Sequence, residues 1–189
     1  MDPYKKQFTV SDLVDAMPPG LNKNLMQNWF VRGVIQISDD SPGSGKKRLY
    51  SFYEALQVEL VFQMTMRNEP TKVAGPVAKL CADFFCEWIK QGNDPGEYND
   101  DEAHIITFTI HGKHTAKPGD RRLRYQILKK KNFNIHREIK VMYFKTLDFH
   151  YTAWRLYEAL FDVTATKARQ SGSDERGFPT DPNHPWHEG

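Results

Sequence analysis

Two short motifs in this chain carry residue types that bind metal ions or phosphate groups. His111 and His114 lie three residues apart, but no cysteine or carboxylate cluster accompanies them, so a metal would need a distant third ligand such as His136. Residues 41–46 read Ser-Pro-Gly-Ser-Gly-Lys, yet Lys47 follows where a phosphate-binding loop requires Ser or Thr. We therefore expect no metal site, no cofactor and no enzymatic activity.

A second group of polar residues shares one side of a predicted helix, which begins near the N-cap residue Asn22 and ends at Gly33. At 100° per residue, the apolar residues fall together and form the expected buried face: Leu25, Met26, Trp29 and Phe30. The opposite side is mostly amide and cationic: Lys23, Asn24, Gln27, Asn28, Val31 and Arg32.

A third group is a concentration of positive charge late in the chain. Lys and Arg outnumber Asp and Glu by 11 to 2 within residues 111–147, although the whole chain carries a net charge of only +2. Such a segment attracts polyanions. The alternative is a solvated sheet surface whose charges are partnered by the acidic segments on either side. The residues that would form a second basic surface are Arg121, Arg122, Arg124, Lys129, Lys130 and Lys131.

Length and composition limit the class of protein that presents these groups. The chain has 189 residues, 39% hydrophobic and 26% charged, which predicts one ordinary globular domain or two small ones. No apolar run approaches the ~20 residues of a membrane span, and the first residues lack the apolar core of a signal peptide. We expect a cytoplasmic protein without membrane association. Cys81 and Cys86 are interpreted as buried thiols in a helix.

The first third of the chain predicts three helices and a short hairpin. Thr9 caps a helix that ends near Met17, before the Pro-Pro-Gly sequence, and the helix described above follows. Two short strands, at residues 34–37 and 48–50, flank a connection that contains glycine and proline. A capping box at residues 51–54 then starts a third helix, whose many apolar residues indicate that more than one of its faces is covered.

The remaining two thirds predict an α-β-β-β-α arrangement, so the fold class is α+β. We expect helices at residues 73–90 and 149–167, strands at 105–110, 122–128 and 139–144, and a disordered tail after residue 170. These patterns divide the chain into residues 1–69, residues 70–168 and the tail 169–189.

The front of the chain resembles a known family at four features in a fixed order. They are the opening Phe8-Thr-Val-Ser-Asp-Leu, the sequence Trp29-x-x-x-Gly33-Val-Ile, the motif Arg48-x-Tyr50, and an aromatic helix start with an acidic residue. Together they resemble the winged helix-turn-helix DNA-binding domain of the MerR superfamily, over about residues 7–67. The chain departs from that family where Pro70 interrupts the expected dimerisation helix, and where the cysteine cluster of the metal sensors is missing. Metal sensing is therefore not implied.

The resemblance implies that the second helix enters the DNA major groove and that the wing contacts phosphates. Base edges would be read by Lys23, Asn24, Gln27 and Asn28, and Val31 would meet a thymine methyl group. Phosphates would be contacted by Arg32, Lys46, Lys47 and Arg48. Two alternatives stay open: the polar residues form an ordinary solvated helix face, or Arg48 and Tyr50 brace the wing against the third helix.

These residues predict a bacterial or phage transcriptional regulator that binds a specific double-stranded DNA sequence. We expect a homodimer on an inverted repeat, because one recognition helix reads only a few base pairs. The second half would serve dimerisation or effector binding, although nothing indicates a small-molecule effector. An excisionase-like protein that bends DNA is the alternative in the same class. A protein-interaction adaptor that does not bind DNA is the alternative from another class.

Overall fold

A computed structural model of the chain describes residues 1–37, 48–111, 122–132 and 143–170. Within these residues the elements follow in the order α1 (Val10–Ala16), α2 (Lys23–Val31), α3 (Phe52–Met66), α4 (Thr71–Lys90), β1 (His104–His111), β2 (Arg122–Lys129), a 3₁₀ turn (Lys130–Asn132), β3 (Tyr143–Leu147) and α5 (Phe149–Gln170). The predicted α+β class is confirmed. Three predictions fall outside the described residues: the hairpin connection at residues 38–47, the strand residues 139–142 and the disordered tail at residues 171–189.

Side-chain caps start the first three helices where the sequence predicts them. The Thr9 hydroxyl accepts a hydrogen bond from the Asp12 amide, and the Asp12 carboxylate accepts one from the Thr9 amide at 2.6 Å. Ser51 and Glu54 repeat this capping box at the start of α3. The Asn22 side chain accepts from the backbone amide at the third position of α2 at 2.9 Å. These bonds satisfy amides that a helix start would otherwise leave without a partner.

The strand predicted at residues 34–37 is wrong. Gly33 has φ +66°, a left-handed conformation that turns the chain back so that the Val34 amide donates to the Trp29 carbonyl at 2.9 Å. A Cβ on Gly75 would lie 2.5 Å from the Val34 carbonyl oxygen, so this segment packs closely on α4. The pairing partner of Tyr50 is instead Phe8, across an antiparallel bridge.

Helix α3 is central to the core, as its apolar composition predicts. Eleven of its fifteen residues are buried, and it packs against both α4 and α5. The buried residues of α4 include the small Ala74, Ala78 and Ala82 and the larger Phe85 and Ile89. Val77 and Cys81 of α4 are also buried, whereas Leu80 is 38% exposed.

Both cysteines are free and buried in α4, as predicted. Burial raises the pKa of the Cys81 thiol, and it raises the pKa of the Cys86 thiol to about 12. Both thiols therefore remain protonated and unreactive at neutral pH.

The three strands form an antiparallel sheet in the order β2-β1-β3. In the central strand, Ile106 lies opposite Ile127 on one side and Leu147 on the other. Ile106 belongs to the same hydrophobic core as Leu13 of α1 and Leu156 of α5, so one core extends across the expected boundary at residue 69. None of the described helices is both long and apolar enough to cross a membrane.

Candidate nucleic-acid interface

Helix α2 is anchored by the apolar side that the sequence predicts. Met26 is 1% exposed and Trp29 is 4% exposed, while Leu25 and Phe30 are partly buried against the same core. The Phe30 ring stacks on the Tyr50 ring with centroids 5.4 Å apart and planes at 17°. This packing fixes the rotation of α2 about its axis, so the opposite side of the helix is held outward.

The outward side of α2 carries every residue that the angular pattern placed there. The structure leaves these residues exposed: Lys23, Asn24, Gln27, Asn28, Val31 and Arg32. Val31 is 79% exposed although it is apolar. Within the described part of the chain, the polar side chains of this set have no hydrogen-bond or ion-pair partner. We call these six residues the α2 face.

Arg48 lies beside the α2 face, next to a buried tyrosine. The backbone of Tyr50 donates to the Phe8 carbonyl at 2.7 Å and accepts from the Phe8 amide at 3.0 Å. Burial raises the pKa of the Tyr50 hydroxyl, and Arg48 offsets part of that rise through its charge and a hydrogen bond. Arg48 is half-buried. It contacts Tyr50 on one side and borders the α2 face on the other.

A cleft of about 590 Å³ separates α2 from Arg48 and the start of α1. We call it the α2 cleft. Its lining brings together Lys23, Gln27 and Val31 from the α2 face with Arg48 and Tyr50. The sequence pattern gave no sign of this cleft, because its other side is built by the Phe8–Tyr50 pairing, which joins residues 42 positions apart.

Three residues predicted to contact nucleic acid, Lys46, Lys47 and Arg121, lie outside the described residues. Arg122 and Arg124 belong to β2, and the structure does not describe their side chains. The described part of the candidate interface therefore consists of the α2 face and Arg48.

Lys130, from the predicted second basic surface, is held by acidic groups. Its ammonium group lies 2.8 Å from an Asp100 carboxylate oxygen and 3.1 Å from an Asp148 carboxylate oxygen. It also donates to the Tyr98 hydroxyl at 3.1 Å. Hydrogen bonds to Asp100 and Tyr98 raise the pKa of Lys130, and the Lys130 contact lowers the pKa of Asp100.

Lys129 and Lys131 both pair with Glu102, at the start of the sheet. Hydrogen bonding to Lys129 is the main cause of the lowered pKa of Glu102. This pairing is the arrangement expected of a sheet surface partnered by neighbouring acidic segments, and we leave the three lysines out of the proposed interface.

Two histidines that the sequence analysis did not single out lie together, His104 at the start of β1 and His150 at the start of α5. The rings of His104 and His150 stack with centroids 5.8 Å apart, and His150 also meets Trp88 edge-on at 4.6 Å. The Nδ1 atoms of both histidines are buried without a hydrogen-bond partner. Burial, and to a lesser extent the neighbouring His104, lowers the pKa of His150 to about 4. Within the described residues, no group of His, Cys, Asp or Glu could hold a metal ion.

Comparison with known proteins places the chain in no family. No family model matches it. Among curated proteins, GTPase Der of Fusobacterium nucleatum subsp. nucleatum is 33% identical over 114 residues, which is 60% of this chain. The chain spans about a quarter of the length of that relative, since the matched part is 23% of it. The present sequence contains no complete G-x-x-x-x-G-K-[ST] motif.

Proposed function

We propose that this protein is a transcriptional regulator that binds a specific double-stranded DNA sequence through a MerR-like winged helix-turn-helix in its first 69 residues. The observation that carries the proposal is the α2 face: three amide side chains and two cations, exposed and unpaired within the described residues, on a helix fixed by Met26 and Trp29. The chain is proposed to act as a homodimer on an inverted repeat.

The chemistry of the α2 face suits the major groove. Asn and Gln amides can bond adenine at two atoms, Lys can reach guanine acceptors, and Val can pack on a thymine methyl group. Each well-placed side chain that makes two hydrogen bonds to one base discriminates against a wrong base by about 1–3 kcal/mol. With its side chains, an α-helix such as α2 is about 10–12 Å across, which fits a major groove about 12 Å wide.

The packing that fixes the orientation of α2 also favours recognition of DNA. Because its buried side is packed and its outward side chains have no partner among the described residues, these side chains need little rearrangement before they bind. An adaptor for a protein partner would more often present an apolar centre on such a surface. Here Val31 is the only aliphatic residue in the set of six.

The deciding experiment selects DNA fragments from the source genome with the purified full chain and measures their affinities by fluorescence anisotropy. Lys23→Ala should weaken binding to the selected site. Lys72→Ala is the matched control, because Lys72 is also exposed in the first turn of a helix but lies on α4. Absence of salt-dependent binding to any duplex would refute the proposal and favour the adaptor.

A further inference from the structure

The α2 cleft has a chemical character that DNA alone does not require. Apolar groups from Met26, Phe30, Val31 and Ile37 line it, and Lys23 and Arg48 supply positive charge. None of the described residues that line it is acidic. A cleft that combines apolar surface with cations fits an acidic peptide that also carries aromatic side chains.

Residues 171–189 of this chain have that composition. They contain four acidic residues, Asp174, Glu175, Asp181 and Glu188, against the single Arg176. They also contain two large aromatic residues, Phe178 and Trp186. We call residues 171–189 the acidic segment.

Charge distinguishes the α2 cleft from a second apolar groove in the described part of the chain. That groove, of about 350 Å³, is lined by Phe8, Tyr157 and Phe161 among others. Glu158 and Asp162 lie beside it, around Tyr157 and Phe161. Like charges would oppose the acidic segment there, whereas opposite charges favour it at the α2 cleft.

The acidic segment can reach the α2 cleft from the end of α5. Phe8 shares a groove with Phe161, and the next two residues, Thr9 and Val10, line the α2 cleft. The nine residues from Phe161 to Gln170 extend α5 by about 13 Å. Nineteen extended residues span up to about 60 Å, so the acidic segment is long enough to return.

We propose that the acidic segment of each chain binds the α2 cleft of the same chain and competes there with DNA. This inference rests on the proposed function for its effect on DNA, but the docking itself does not. A tethered segment has an effective concentration near the millimolar range, so weak contacts suffice to hold it. If it occupies the cleft nine-tenths of the time, the apparent affinity for DNA falls about tenfold.

Docking is tested on the full chain with a nitroxide label at N183C. The native cysteines are buried, so a thiol reagent modifies the introduced cysteine. The expected result is paramagnetic broadening of the amide signals of Gln27 and Val31, with the Tyr125 amide of β2 unaffected. K23A should weaken this broadening and K72A should not. Unbroadened α2 signals would overturn the inference.

A mixing experiment identifies the chain that supplies the segment. The spin-labelled chain is mixed with an equal amount of isotope-labelled, unmodified chain, so that broadening reports contact between two molecules. The expected result is no broadening of the α2 amides in the mixture. Broadening there would overturn the assignment to the same chain and point to a second copy.

The effect on DNA is measured with F178A/W186A in the full chain. The expected result is an apparent affinity for the selected DNA about tenfold higher than in the unchanged chain. If the α2 signals broaden but no duplex binds, the docking stands and the regulator proposal fails. If DNA binds equally well in both chains and the α2 signals are unbroadened, the docking fails and the regulator proposal stands.

Discussion

Gln27 and Arg32 both belong to the α2 face, yet their chemistry gives them different tasks under the proposed function. An amide can distinguish one base from another, while a guanidinium on a phosphate contributes affinity without sequence preference. Both side chains are exposed, and neither has a partner among the described residues. The two contributions can therefore be separated by single substitutions that leave the core untouched.

Gln27→Ala should reduce the preference for the selected site over a scrambled duplex by about 1–3 kcal/mol. Arg32→Ala should weaken binding to both duplexes alike and lower the salt slope by about one. Anisotropy titrations at several salt concentrations measure both effects. An equal loss on the two duplexes after Gln27→Ala would contradict the assignment of base reading to that residue.

The sequence predicts the α2 face residue by residue, because the helical period alone separates Met26 and Trp29 from Lys23 and Gln27. It does not predict what the lysines of the basic segment contact. Lys130 meets Asp100, which is 30 residues away, because the loop before β1 lies beside the end of β2. Such pairings depend on strand register and loop path, which no local pattern encodes.

At the scale of elements, helix starts are encoded locally, and the capping boxes at Thr9 and Ser51 were predictable for that reason. Helix orientation is not encoded locally. Gly75 of α4 allows the backbone at Val34 to approach closely, and hydrophobic periodicity does not predict that contact.

Ser51→Ala should lower the free energy of unfolding by about 1 kcal/mol, because it removes the side-chain cap of the central helix α3. Ser11→Ala is the matched control: Ser11 is exposed in α1, and its loss should change stability by less than about 0.5 kcal/mol. Denaturant unfolding of the two variants provides the comparison. Equal effects would show that the Ser51 cap does not stabilise α3.

Gly75→Ala should destabilise the fold by about 1–3 kcal/mol, since its Cβ would lie 2.5 Å from the Val34 carbonyl oxygen and force the two segments apart. The neighbouring Pro76 is exposed within α4, so Pro76→Ala should be neutral or stabilising, because it restores a helical amide. Thermal unfolding of both variants tests the contact. An unchanged melting temperature for Gly75→Ala would contradict the close packing described for this segment.

At the scale of the whole molecule, the two histidines join β1, α4 and α5 in one aromatic cluster. His150 is 2% exposed, and its depressed pKa means that the folded protein resists protonation that the unfolded chain accepts. The contribution of neutral His150 to the free energy of unfolding is therefore fully present above the unfolded-state pKa near 6.5. It is lost as the pH falls from there towards 4. His104, whose pKa is also lowered, adds to the same trend.

Between pH 7 and pH 5 the free energy of unfolding should decrease, and His150→Phe should remove much of that decrease while preserving the ring packing. Denaturant titrations at the two pH values measure the difference. Tyr151→Phe, on the exposed side of the same helix, should retain the dependence of the unchanged chain. If the free energy of unfolding of His150→Phe decreases between pH 7 and pH 5 as much as that of the unchanged chain, the burial of neutral His150 does not cause the pH dependence.

The continuous core from α1 to α5 also predicts one cooperative unfolding transition, although a boundary near residue 69 was expected from sequence. Because α3 packs against α4 and α5, a fragment that ends at residue 69 would expose apolar surface of α3 that is buried in the full chain. That fragment should remain unfolded by circular dichroism. A folded, stable fragment would show that the first 69 residues form an independent unit.

The pairing of Phe8 with Tyr50 has an evolutionary consequence. It fixes the chain on one side of residues 38–47, and Ile37 is packed against the core on the other. Since doubling the length of a loop costs only about 0.6 kcal/mol in closure entropy, insertions between these fixed ends burden the fold little. Under the proposed function, descendants of this chain can change how tightly they hold DNA at this segment while α2 keeps the sequence they read.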